Sequence, residues 1–113
     1  MIILEQPVKK ADLKKLCQIV FDDVMIKGAV DVRKGLLGLD AELHADIEQE
    51  LLAQGSKQED IWGINLYPDE EGEDFVEFDS MVNVRPRQNN RSRYVEDAKT
   101  RKQIIEVVDQ WVQ

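Results

Sequence analysis

Arg85, Arg87, Arg91 and Arg93 put four guanidinium groups within nine residues, with Gln88, Asn89, Asn90 and Ser92 among them and Tyr94 next in line. A guanidinium is a planar fork of donors that matches phosphate and carboxylate, so this spacing makes a donor-rich segment suited to an anion. Tyr94 adds a ring on which a base or another ring can stack. From Arg85 to Lys102 seven basic residues stand against two acids, a local charge of +5 in a chain of net −8. That reversal marks Arg85, Arg87, Arg91, Arg93 and Tyr94 as the candidate ligand-binding residues. The ligand they suit is an anionic small molecule or an acidic protein partner. The same arginines would equally serve pairs with the chain's own carboxylates or with a second copy in a homo-oligomer.

A second constellation is Glu42, His44, Asp46 and Glu48, joined by Glu77 and Asp79 on a strand further along. Histidine with carboxylates is a ligand set for zinc or a harder divalent ion, and His44 and Glu48 are four apart on one helical face. Only one histidine and one cysteine are present, and neither H-E-x-x-H nor EF-hand spacing occurs, so no metal and no cofactor is expected. Acids in a first helical turn have a simpler role against the helix dipole. Asp69 to Asp74 holds five carboxylates in six residues, without the ordered alternation of a calcium loop. It reads as a solvated hairpin tip. Ser56 and Ser80 lie in no nucleophile elbow. The six glycines are scattered and form no phosphate loop.

What positions these residues must be small. The chain has 113 residues, 42% of them hydrophobic and 34% charged, which is a globular composition and predicts a single domain over 1–113. A net charge of −8 repels duplex nucleic acid and anionic membrane, and no apolar run is long enough to span a bilayer. Charge appears by Glu5, too early for a signal peptide, so a cytoplasmic location is expected. Cys17 has no partner for a disulfide and falls on an apolar stripe, where a buried, inert thiol is expected.

The periodicities set the order of elements. Ile2–Glu5 reads as a short strand. Leu13, Leu16, Cys17, Val20, Phe21 and Val24 share one face of a helix over 10–24. Ile26, Gly28, Val30 and Val32 alternate with more polar neighbours, and Lys34-Gly35 turns the chain, so 26–41 is predicted as a hairpin. A helix over 43–54 ends at Gly55, where a left-handed residue is wanted. Ser56 and Glu59 have capping-box spacing ahead of a strand at 62–67. The return strand is predicted over Phe75–Val84, with Val76, Phe78, Val82 and Val84 on one face and Glu77, Asp79 and Asn83 on the other. Asn65 and Tyr67 share that polar face. Residues 86–96 have no period and form a long loop, and Asp97 caps a last helix. The order β-α-β-β-α-β-β-α predicts an α+β fold, a mostly antiparallel sheet with helices packed on one face.

Several stretches resemble one family closely: Glu-Leu-His-Ala-Asp (42–46), Gly-Ser-Lys-Gln-Glu-Asp-Ile-Trp-Gly-Ile-Asn-Leu-Tyr-Pro (55–68), Glu-Phe-Asp-Ser-Met-Val-Asn-Val-Arg-Pro (77–86) and Asn-Arg-Ser (90–92). Over essentially the whole chain these are similar to small hypothetical prokaryotic proteins of about this length, classed as a domain of unknown function. The resemblance implies a single domain and carries no activity, cofactor or site residue. Function therefore rests on the residues, and the leading expectation is a non-catalytic binding module with an Arg-rich anion-binding loop. The alternatives are a metal-assisted phosphoester hydrolase using His44, Asp46 and Asp79, and a structural oligomer subunit.

Overall fold

The computed structural model describes residues 2–16, 25–39 and 43–113. Among these residues five strands form one sheet: β1 (Ile2–Ile3), β2 (Ile26–Asp31), β3 (Leu36–Leu39), β4 (Ile61–Leu66) and β5 (Val76–Glu77), in the order β1-β3-β2-β4-β5. Every pairing is antiparallel. Among the described residues three helices accompany it: α1 (Lys10–Leu16), α2 (His44–Ala53) and α3 (Ala98–Trp111). The class and the order of elements are as the periodicities predicted. Of the helix expected over 10–24, the part bearing Cys17, Val20, Phe21 and Val24 lies outside the described residues, as does Glu42.

The helices divide between the two faces of the sheet instead of sharing one. Register explains why. Val30 lies beside Leu37 and Trp62, and Gly28 beside Leu39 and Ile64, so one face presents large apolar groups. These form the main core with Leu13 of α1 and with Ile104, Val107 and Val108 of α3. On the opposite face Ala29 lies between Gly38 and Gly63, a row of small residues. That shallow face admits α2, whose Ile47 and Leu51 join Ala29 and Ile61 in a second buried cluster. Every residue of β4 is buried, since it is covered on both sides.

Turn chemistry positions the elements. Asp31, fully buried, accepts from the N–H groups of Arg33 and Lys34 at 2.9 Å each and from the Ser56 hydroxyl at 2.6 Å. Ser56 therefore pins the α2–β4 connection to the β2–β3 turn and does not cap the 3-10 turn Gln58–Asp60, where no side-chain cap forms. Gly55 has φ +99°, its N–H bonds to Leu52 O, and the Ser56 N–H bonds to Leu51 O. That is the paired closure of a helix C-terminus that glycine permits, as its spacing predicted.

The predicted strand Phe75–Val84 is a strand only at Val76–Glu77, after which the chain folds into a 3-10 turn at Met81–Asn83. The face assignment is reversed there: Asn83 is fully buried and Val84 is 37% exposed. A side-chain amide has replaced a backbone ladder. Asn83 Oδ1 accepts from Gly63 N–H at 2.8 Å, and Asn83 Nδ2 donates to Gly63 O at 2.9 Å. The approach is close enough that a Cβ on Gly63 would meet Ser80 Cβ at 2.6 Å.

Candidate functional site

Residues 86–96, expected as a long loop, form with Arg85 a tight structure around a second buried amide. Arg85 and Asn90 exchange two backbone hydrogen bonds across the 3-10 turn Pro86–Gln88, and Asn89 takes a left-handed conformation at φ 60°. The Asn90 amide donates to Asn83 O and Tyr94 O, at 2.7 and 2.8 Å, and its Oδ1 accepts from Glu96 N–H at 2.8 Å. Glu96 accepts in turn from the Ser92 hydroxyl and from the N–H groups of Ser92 and Arg91. Those bonds, the hydroxyl's first, hold its carboxyl below the ordinary range.

This framework separates the arginines. Arg85 points inward: its guanidinium pairs with Glu48 of α2 at 3.2 Å, donates to Val82 O at 3.0 Å, and lies 4.8 Å from the Trp62 ring centroid. Burial lowers its pKa, and the Glu48 charge opposes that shift. Arg93 reaches Asp79 with two donors, at 2.8 and 3.4 Å. Arg87 and Arg91 are exposed. Tyr94 packs edge-on against Phe78, with ring centroids 6.1 Å apart, and carries the Arg101 guanidinium 5.1 Å from its centroid. Arg101 is fixed there by bonds to Val95 O and Glu96 O, at 2.7 and 2.9 Å. Asp97 sets the start of α3 as predicted, accepting from the Thr100 N–H and hydroxyl.

The polar strand face assembles at the other side of β5. His44, the first residue of α2, places Nε2 2.8 Å from Ile64 O and 2.9 Å from Asn65 Oδ1. Both are acceptors, since Asn65 Nδ2 donates to Glu77 Oε1 and Asp79 O. Nε2 therefore carries the proton. Burial pushes the His44 pKa below its ordinary value, outweighing the Ile64 and Asn65 bonds that raise it. Tyr67 Oη donates to Glu77 Oε1 at 3.0 Å. Among the described residues no three His, Cys, Asp or Glu side chains are grouped so as to hold a metal ion. His44 thus meets Asp79 through Asn65, and Asp79 meets Arg93, while Arg85, Arg87 and Arg91 lie apart from this network.

Between β5 and α3 runs a groove of about 980 Å³. Phe78, Tyr94, Val76 and Ile105 supply apolar wall. Glu77, Asp79 and Tyr67 line one rim, Arg101 and Lys102 of α3 the other, and Glu70, Glu73 and Asp74 of the hairpin loop close one end. Of the sequence-predicted site residues, Tyr94 lines this groove and Arg93 braces it through Asp79. The groove's α3 side is not legible in the sequence, where Arg101 and Lys102 enter only as part of a local charge total. No helix among the described residues is long and apolar enough to cross a membrane.

Fold and groove together are those of an α+β protein with a groove between β5 and α3. Residues 2–111 match the family described as "Protein of unknown function (DUF5674)", and the chain belongs to that family. No curated protein and no solved structure matches it.

Proposed function

We propose that the protein is a non-catalytic binding module and that its ligand lies in the groove between β5 and α3. One observation carries this: the groove's walls are held in place by the protein's own contacts. Phe78, Tyr94 and Arg101 form a stack whose outer member is anchored to two backbone carbonyls. Glu77 and Asp79 are oriented by Asn65, Tyr67 and Arg93. Preorganised aromatic and charged groups lower the ordering cost of binding.

Amide-resolved NMR of the full chain during titration with a set of small aromatic amines and amides is the test. Shifts clustered on Phe78, Tyr94, Arg101 and Ile105 are expected, and shifts confined to other surfaces would overturn the reading. A second reading keeps an anionic ligand or acidic partner at the tip of the 86–92 turn. It is favoured by Arg87, whose exposed side chain forms no hydrogen bond or ion pair among the described residues.

A further inference from the structure

We infer that the face carrying α2 is the contact surface for a second copy of this chain. The two copies meet across a two-fold axis running along α2, which sets the acidic side of each α2 against the other copy's Arg87. The inference is independent of the groove.

The apolar surface supplies the first part. Among the described residues five large apolar side chains are exposed, and four of them, Leu43, Leu52, Met81 and Val84, belong to α2, to the 3-10 turn at Met81–Asn83 or to their caps. α2 packs directly against that turn, and the Arg85 guanidinium links the two by donating to Val82 O and to Glu48. The four therefore form one strip, in which Met81 is 66% and Leu43 58% exposed. Apolar residues scattered singly over a surface need no explanation, but four on adjoining elements mark a contact surface. The outward stripe of α2 continues it. Ala45, Gln49 and Leu52 are spaced four and three apart, all are exposed and none is charged, in a chain of which 34% of residues are charged. A helix ridge is convex, which suits the surface of another protein better than a small molecule.

The charges say which protein. Helical spacing puts Asp46 and Glu50 on one side of the strip, where Glu50 lines a cavity with Ile3 and Leu36. Glu48 lies on the other side and is taken by Arg85, and the turn that follows Arg85 carries Arg87. Asp46, Glu50 and Arg87 form no ion pair among the described residues. The strip is thus flanked by acid on one side and by base on the other. A half-turn about its long axis exchanges the two sides. A second copy so placed brings base to acid at both margins while the apolar strips meet between them, and the surface is its own complement. The acidic partner that suits Arg87 is then the protein itself.

Sedimentation of the full chain over a concentration series tests this, at about 0.15 M salt, where repulsion between two chains of net −8 is largely screened. A monomer–dimer equilibrium is expected. Leu43→Asp should leave the protein folded, because Leu43 is the extended N-cap of α2 and Asp is favoured there, yet it should weaken the dimer about tenfold or more. Met81→Asp should do the same. Arg87→Glu alone, and Asp46→Lys with Glu50→Lys, should each weaken association about tenfold. An equimolar mixture of those two charge variants should restore a one-to-one dimer, since each then meets its opposite at both margins. A wild type that stays monomeric at every concentration overturns the inference. So does a dimer that Leu43→Asp and Met81→Asp leave intact, because it forms through another face. A mixture that associates no better than either charge variant alone overturns the two-fold pairing, and with it the second copy as the occupant of the strip.

Discussion

The carboxamide of Asn83 meets the backbone of Gly63 at two points, accepting from its N–H at 2.8 Å and donating to its carbonyl at 2.9 Å. A side chain thus occupies a place that a strand would otherwise take beside β4. The same amide also donates to Arg93 O at 3.1 Å, so one fully buried residue joins the sheet to the segment that fills the outer slot of β5.

Asn83→Ala should therefore be among the most damaging single changes outside the apolar core. It leaves the Gly63 N–H and carbonyl and the Arg93 carbonyl buried without their partner. Each orphaned buried group costs about 1–3 kcal/mol, so a loss of about 3 kcal/mol is expected. Denaturant unfolding gives the check, as a lower midpoint at an unchanged slope. An effect below about 0.5 kcal/mol would show that water replaces the amide.

Arg85 and Glu48 form the next testable pair. Their side chains are 8% and 13% exposed, so solvent screens them little. Removing one partner of such a pair leaves the other charge in a poorly solvated site, at a cost of about 3 kcal/mol. Arg85→Gln and Glu48→Gln are each expected to destabilise by roughly that amount. The double change should cost less than the sum, because neither charge is then left alone. Strict additivity would show that the two do not interact.

His44 makes stability depend on pH, and the sign follows from its burial. Its pKa is lowered in the folded protein, so the unfolded chain binds the proton more tightly. The histidine's contribution is full above its unfolded pKa, about 6.5, and is lost as pH falls below it. The unfolding midpoint should drop between about pH 7.5 and pH 5.5, beyond the change that His44→Gln shows over the same range. Parallel pH profiles for the two proteins would sink this expectation.

How much of this was legible in the sequence depends on the range of the interaction. The α3 cap at Asp97 and the Gly55 closure are local, and spacing alone reveals them. The segment 75–84 misled because Val82-Asn83-Val84 has strand periodicity. Its polar residues carried a competing signal: the Ser80 hydroxyl accepts from Val82 N–H, and the Asn83 amide takes the backbone of Gly63. Short polar side chains that bond backbone compete with ladders. Ala29, Gly38 and Gly63 line up only through register, so the shallow face that receives α2 could not be read in advance. The Arg85–Glu48 pair spans 37 residues, which no local pattern exposes. The groove itself joins the hairpin, Tyr94 and α3, and only tertiary structure brings them together.

The arginines that remain exposed distinguish the two readings of function. Arg87 and Arg91 offer side chains at the surface of the 86–92 turn, whose backbone is held by Asn90 and Glu96 instead. Arg87→Gln with Arg91→Gln should therefore move stability by less than about 0.5 kcal/mol. Arg93→Gln differs, because it releases Asp79 at the groove's rim from a pair with 56% and 45% exposed side chains. It should cost at most about 1 kcal/mol in stability. Titration of the wild type with inorganic phosphate, nucleotides and short single-stranded RNA completes the comparison. Saturable, salt-sensitive binding that Arg87→Gln with Arg91→Gln abolishes would establish the anion site at the turn. Its absence would leave an acidic protein partner as the one form of that second reading still standing.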